Sequence, residues 1–277
     1  EVMKITFLSE NKTNQPPFVG EHGLSLLIET GSIKILFDAG SSDFLFQHAK
    51  EKKLDLGDVD LCVVSHGHFD HTGGIPTFVK INQKAPVLIH KEAFYEEYYM
   101  EKGVMEKEPC SILWNEKEKQ EILPRLLLTE GTHYWNENIL ISGAIPPRYG
   151  NESVEDFYIR EMDGKYRIDP MEQEQFLLIR ERGELYLFSG CSHKGIFSAL
   201  NYAKDLFPEE KVRLLVAGLH LYNANSATIS EVVQRLLPYN IPEILPVHCT
   251  GIEGICQMKR EMPGVVKIAC VGDEFEY

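Results

Sequence analysis

Ten residues, SHGHFDHTGG from Ser65 to Gly74, place three histidines and an aspartate within six positions, directly after the apolar run DLCVV. In extended chain, residues two apart project to the same side, so His66 and His68 can address one point. The chain must then turn, and Asp70 and His71 present a carboxylate and an imidazole to a second point nearby. Imidazole with carboxylate is a donor set for zinc, iron or manganese. Gly67, Gly73 and Gly74 permit the tight backbone this needs. So dense a run of ligand types after a buried strand reads as a metal-binding loop rather than as a polar loop that happens to hold histidine.

The rest of the chain supplies strands and helices to carry that loop. Lys4–Leu8, Ser25–Thr30 and Lys34–Phe37 are short apolar runs that read as neighbouring strands, with a turn at Gly31-Ser32. Residues 43–52 have helical spacing behind a Ser-Asp start, DLCVVS is a buried strand, Ile75–Ile81 a helix and PVLIH another strand. This alternation argues for an α/β layered fold. From Lys91 to about Asp169 the pattern degrades into charged, tyrosine-rich sequence, clear strand character returning only at Asn138–Ser142. The stretch is expected to be a central insertion or cap, either a solvated helical hairpin or a substrate-contacting element. Beyond it, QFLLIRERGELYLFSG reads as two strands around a turn at Arg182-Gly183. There follow a helix over Gly195–Leu206, a strand over Val212–Ala217 and a helix over Thr228–Leu237. A strand over Glu243–Val247, a helix over Gly251–Met262 and a strand over Val265–Ala269 complete the chain. Without repeat or low-complexity linker, residues 1–277 are expected to form one domain.

Composition excludes some occupations. Forty-two acidic residues against 28 basic give a formal charge of −14, which repels phosphate backbones and anionic lipid. Neither nucleic acid nor a membrane is expected as a partner, and the oligomeric state is open. No apolar run approaches the roughly 20 residues that cross a bilayer. The start, EVMKITFLSE, lacks the features of a signal peptide, so a cytoplasmic address is expected. The six cysteines form no CxxC pair and read as free thiols.

Three histidines away from the loop sit where strands end. His193, in SGCSHKG, and His248, in PVHCTG, each follow a strand and precede a glycine-led helix. Both read as ligands in preference to satisfied loop histidines. His220, in AGLHLYN, has the same setting, and direct ligation, ligand support and substrate contact all remain open for it. His48, His90 and His133 read as structural or solvated.

SHGHFDHTGG resembles the HxHxDH signature of the metallo-β-lactamase superfamily, and the upstream FDAG, with Asp38, is similar to its strand-end aspartate motif. GEHGLSLLIE, LFSGCSH, AGLHL and PVHCTG together resemble one branch. That branch holds the 7,8-dihydropterin-6-methyl-4-(β-D-ribofuranosyl)aminobenzene 5′-phosphate synthases and their metallo-hydrolase relatives. The resemblance runs from about Lys4 to the C-terminus and is thin in the middle. It implies a four-layer αβ/βα sandwich with two metals at one edge, and Asp38 supporting the histidine loop. Cys191 stands where many members carry a bridging aspartate, and reads as a thiolate ligand or a packed core residue. His22, in GEHGLS, lies near the site or orders its own loop. One departure matters: members usually supply a further ligand histidine before this strand end, whereas ILISGAIPPRYGNE has none. His193 is the candidate to replace it.

The expected centre therefore has His66, His68 and His193 on one divalent ion and Asp70, His71 and His248 on the other. Zinc is the first expectation, with iron or manganese as alternatives. Two such ions supply hydroxide at neutral pH, with Asp70 also orienting the nucleophilic water. The leading function is hydrolysis of a small anionic, phosphate-containing substrate, for which His22, Arg148 and Lys194 are candidate contacts, a surface role being the other reading of Arg148 and Lys194. The alternatives are the branch's condensation with loss of pyrophosphate, and a di-iron redox or sensor protein.

Overall fold

The structure, a computed structural model, describes residues 2–150 and 156–277. Period-two burial builds its layers. In Ser25–Glu29, Leu26 and Ile28 face one way and Leu27 the other; in Lys34–Phe37, Ile35 and Phe37 oppose Leu36. Strands apolar on both faces must be covered on both, and the sequence provides for that twice.

The first sheet runs Glu274–Glu276, Lys4–Ser9, Ser25–Glu29, Lys34–Phe37, Leu61–Val63, Val87–His90, Leu126–Thr129. Its first three pairings are antiparallel and its last three parallel. The second runs Glu243–Val247, Lys211–Gly218, Glu184–Ser189, Leu177–Glu181, Ile139–Ile141, His133–Asn136, with two parallel pairings followed by three antiparallel. The sheets meet through a shared core in which Phe37 and Phe188 lie 6.1 Å apart between ring centroids, among Ile28, Leu177, Val216 and Leu245. Helices Phe44–Glu51 and Ile75–Ile81 cover the outer face of the first sheet through Leu45, Ala49, Ile75 and Phe78. Helices Ile196–Leu206, Ser226–Leu236 and Ile252–Glu261 cover the second through Leu200, Ala203, Ile229, Val233 and Met258. The stacking is helix, sheet, sheet, helix: the expected four-layer αβ/βα sandwich. The turn between Leu177–Glu181 and Glu184–Ser189 has positive φ at both Arg182 and Gly183, as a two-residue hairpin of type I′ requires.

The 91–169 stretch departs from expectation. It is neither a helical hairpin nor a single inserted unit, because 126–129 and 133–141 complete the two main sheets. What remains is helix Glu116–Ile122, packed against Ile75–Ile81, and a small antiparallel sheet in the order Tyr166–Ile168, Phe157–Arg160, Glu97–Glu101, Val104–Met105. Its strands carry tyrosines and charges because much of the sheet faces water, which blurs the apolar alternation. Nor is Val265–Ala269 a strand. Val265 and Lys267 exchange hydrogen bonds with Ile244, and only Val266 bridges to that edge. The chain then crosses to the other sheet, where the polar Glu274–Glu276, which no pattern announced, pairs with Lys4–Ser9. Among the described residues no helix is long and apolar enough to cross a membrane.

Since Phe188 is fully buried between the sheets, Phe188→Ala is expected to lose about 3–5 kcal/mol in chemical denaturation. Leu128→Ala, at an edge strand where the side chain is 55% exposed, is expected to stay within about 0.5 kcal/mol.

Candidate metal centre

Parallel strands of both sheets end at one edge, and the candidate donors sit on the loops that leave it. After Leu61–Val63 the chain bends through Ser65, His66 and Gly67 rather than staying extended, and His68 leads into one helical turn, Phe69–Thr72. The bend brings His66 and His68 to one point; the turn presents Asp70 and His71 beside it. This loop is stapled to its neighbour, the amides of Ala39, Gly73 and Gly74 donating to the carbonyls of His71, Gly40 and Ala39. Gly73 has no left-handed φ; its glycine is needed because a Cβ would strike the Ser41 backbone.

His66 Nε2 lies 3.0 Å from His68 Nδ1 and 3.3 Å from His193 Nε2. The three nitrogens thus converge, and His193 stands where the missing third histidine was required. Around the second point, Asp70 Oδ2 is 2.9 Å from His248 Nε2, 3.2 Å from His22 Nε2 and 3.6 Å from His71 Nε2. Cys191 lies between the two groups, its Sγ 3.2 Å from His71 Nε2 and clustered with His66 on one side and His248 on the other. His22, read from sequence as near the site or ordering its loop, is brought directly onto Asp70.

The imidazoles of His66, His68, His71 and His248 are held from behind, while His193 is held through its backbone amide. Asp38 accepts His71 Nδ1–H at 2.6 Å, and takes the Ser65 amide and hydroxyl at 2.7 Å each; Ser65 Oγ in turn contacts His66 Nδ1 at 2.9 Å. Glu97, from the small sheet, takes His68 Nε2 at 2.8 Å. Gln173 bonds Glu97 and accepts the Gly67 amide. Glu174 accepts the His193 and Lys194 amides at 2.6 Å each, and Glu10 accepts the His248 amide at 2.6 Å. Asn11 Oδ1 meets His248 Nδ1 at 2.7 Å. Asp38 apart, none of these supports was legible: Glu10, Glu97, Gln173 and Glu174 lie in polar stretches with no periodic mark, and become buried only when remote segments meet.

Electrostatics split the donors: burial opposes charge on His68 and His71, yet Cys110 and Glu97 hold His68 well above the ordinary histidine range, and Asp70 and Asp38 raise His71. Burial, together with surrounding imidazoles, pushes His66 and His193 well below the ordinary histidine range, leaving lone pairs free. Burial pushes the Asp70 carboxyl up, but His71 and hydrogen bonds from His22 and His248 outweigh it and hold the group well below the usual carboxylate range. The donor set fits metal. At nitrogen–metal bonds of 2.0–2.1 Å, tetrahedral donors stand about 3.3 Å apart, close to the 3.0 and 3.3 Å found between the histidines. His248 Nε2 is buried and aimed at the Asp70 carboxylate, 2.9 Å from its Oδ2.

The centre opens into a cavity of about 170 Å³. Phe69, Tyr99, Phe157 and Tyr222 wall it, and His220 lines it with Nδ1 unpartnered. Tyr222 donates to the Tyr99 hydroxyl at 2.7 Å across the opening, so the small sheet is a wall of the site. Among the described residues, no lysine or arginine lines this cavity. Lys194 is buried with Nζ on the Pro170 carbonyl at 3.1 Å, and Arg148 is exposed and bonded to Tyr149. Neither is placed for substrate. ILISGAIPPRYGNE runs from the Ile139–Ile141 strand toward helix Ile196–Leu206, its last two residues lying outside the described part. His48 bonds Leu8 and Val19, a structural role.

Residues 19–134 match the family model of the metallo-β-lactamase superfamily. An uncharacterized protein of Methanocaldococcus jannaschii is 29% identical over 92% of this chain and 94% of its own. From the same organism, 7,8-dihydropterin-6-methyl-4-(β-D-ribofuranosyl)-aminobenzene-5′-phosphate synthase is 28% identical over 91% of this chain and 88% of its own. The solved structure of Tm1679, described as a metal-dependent hydrolase of the β-lactamase superfamily, superposes with a TM-score of 0.82 at 28% identity, covering 99% of both chains.

Two outcomes follow. Glu97→Gln is expected to weaken metal binding about 10–100-fold in chelator competition, whereas Glu96→Gln, whose carboxylate bonds Tyr98, leaves it unchanged. Asp169, beside Glu97, has its carboxyl pushed up to about 7 by burial and by that neighbour. A raised carboxyl favours folding below the unfolded value of 3.8 and loses that contribution as pH rises toward about 7. In metal-free protein, Asp169→Asn is therefore expected to match the parent in urea unfolding near pH 4 and exceed it near pH 8.

Proposed function

On the premise that this chain carries a metallo-β-lactamase superfamily domain, we propose that it is a metal-dependent hydrolase acting on a small phosphate-containing substrate at a two-metal centre. The carrying observation is the convergence of His66, His68 and His193 at one point, with Asp70, His71, His248 and His22 at a second beside it. The first three would hold one divalent ion; Asp70, His71 and His248 would hold the other, with His22 adjoining and Cys191 between. Bound there, the ions would acidify water and polarise the attacked group. Zinc suits this donor set, and iron or manganese is compatible with it.

The chain's own residues do the remaining work. Asp70, kept ionised, presents an acceptor oxygen at the cavity floor and orients the attacking water. His220 Nδ1, unpartnered on the wall, donates a proton to the leaving oxygen. Phe157 and the joined Tyr99 and Tyr222 exclude water from the rest of the cavity and limit it to a small substrate. With no lysine or arginine among the described residues of the lining, a phosphate's charge would be met by the cations that the site's donors would hold.

A second reading has its own support. The 28% identical relative is named a synthase, and aromatic walls suit a planar ring. Incubation with a dihydropterin pyrophosphate and an aminobenzene ribose phosphate separates the two: pyrophosphate with a pterin adduct means condensation, and phosphate alone means hydrolysis.

Elemental analysis is expected to find about two divalent ions per chain, and chelation to abolish phosphoester hydrolysis until metal is returned. His66→Ala is expected to lose metal. His220→Gln is expected to keep it while kcat falls about 100-fold. Full hydrolysis by metal-free protein would refute the reading, and iron with visible absorbance and oxygen uptake would replace it with a redox one.

A further inference from the structure

We propose that Cys191 and Cys249 form a modification site, an intramolecular disulfide generated by a peroxide that enters through the substrate cavity and excluded while the metal centre is filled. Both side chains are buried, yet both line that cavity, so a molecule as small as hydrogen peroxide reaches them where a larger reagent does not. Their sulfurs lie within 4.8 Å of each other, in one group with His248.

The backbone is built for the approach. Cys191 follows strand Glu184–Ser189 and Cys249 follows strand Glu243–Val247, and between these two strands runs Lys211–Gly218. At its end Gly218 has no side chain: a Cβ there would stand 2.7 Å from Cys249 Sγ and 3.3 Å from Cys191 Cα. The missing Cβ is what lets Cys249 reach across the intervening strand toward Cys191. Cys249 Sγ is 3.7 Å from the Cys191 carbonyl and accepts the His220 amide at 3.3 Å. A disulfide's 2.03–2.05 Å requires the two sulfurs to close the remaining gap.

The chemistry balances. The Cys249 sulfur attacks one peroxide oxygen, giving a sulfenic acid and water; the Cys191 thiol then displaces the hydroxyl from that sulfur, releasing a second water and forming the S–S bond. Two thiols lose two electrons and the peroxide gains them; a small-molecule thiol reverses the step by exchange. Pairing also withdraws Cys191 Sγ from His71 Nε2, now 3.2 Å away. The bond itself stands on this geometry alone, whereas its exclusion by metal rests on the metal-centre reading.

The test treats the full chain, zinc-loaded and chelator-stripped, with equimolar hydrogen peroxide, and reads intact mass, free-thiol count and a peptide map. Stripped protein is expected to lose the mass of two hydrogens and two of its six free thiols, to yield a linked pair of peptides carrying Cys191 and Cys249, and to recover with dithiothreitol. Zinc-loaded protein is expected to stay unlinked at the same dose. Cys110→Ser, which removes the third thiol of the cavity, is expected to leave the link intact. Oxygen adducts without a cross-link, or a link made through Cys110, would overturn the proposal. Equal linkage with and without zinc would overturn the metal-exclusion half and Cys191's place at the centre, without touching the disulfide.

Discussion

A single carboxylate with no exposure, Asp38, ties together the parts that make this edge of the molecule a site. It stands just beyond strand Lys34–Phe37 and reaches the neighbouring strand's exit through the Ser65 amide and hydroxyl, then the histidine loop through His71 Nδ1. Both oxygens are satisfied by donors on separate segments, so the register of two strands and the orientation of an imidazole become one constraint. The same device recurs with Glu97 behind His68, Glu174 behind the His193 amide and Glu10 behind the His248 amide. Rigid support of this kind fixes which ring nitrogen faces the centre.

It also has a cost that explains what the centre is for. Asp38, Asp70, Glu97, Glu174 and Glu10 are all buried around one cavity, while the nearby ammonium groups are Lys12 on Glu10 and the buried Lys194. Charge removed from water without compensation is strongly destabilising. His66 and His193 are held neutral and offer no counter-charge, whereas His68 and His71 are raised and offer part of it. Divalent cations bound at the candidate centre would supply the rest, and occupancy and local stability would then be coupled, as metal sites generally couple them.

How much of this was legible in sequence depended on where the information sat. SHGHFDHTGG is local: a short bent segment followed by one helical turn carries four donors within six residues, and their density is visible without tertiary knowledge. His193 and His248 were legible because each closes a strand and precedes a glycine, and strands of an α/β sandwich deliver such positions to one edge. The α/β layering followed from the alternation of strands and helices, and the four-layer sandwich from the resemblance carried by SHGHFDHTGG and FDAG. The supports Glu10, Glu97 and Glu174 were invisible because a glutamate in polar sequence looks solvated until a distant segment covers it. The small sheet was misread for a related reason: with much of it facing water, EYYME and FYIR show neither a clean period of two nor one of 3.6. Arg148 and Lys194 were misjudged through charge alone, since a cation near a motif in sequence need not face the cavity in space.

The backbone records how hard these strand ends are worked. Asp38, Ser192, His220 and His248 all have φ between +48° and +56°, a region side chains other than glycine seldom adopt. Each follows a strand of the metal-bearing edge, and each costs of order 1 kcal/mol or more. Glycine would relieve all four, yet at three of them its lack of a side chain would delete a group the site uses: the carboxylate on His71, the His220 ring on the cavity wall, or the His248 nitrogen on Asp70. The strain is therefore retained because reversing the chain immediately after the strand is what turns these side chains into the shared cavity. A gentler exit would carry them past it. Ser192 has no such duty; its hydroxyl sits 2.9 Å from that of Ser189, and its conformation serves instead to set Cys191 and His193 on either side of the turn, one toward each group of donors.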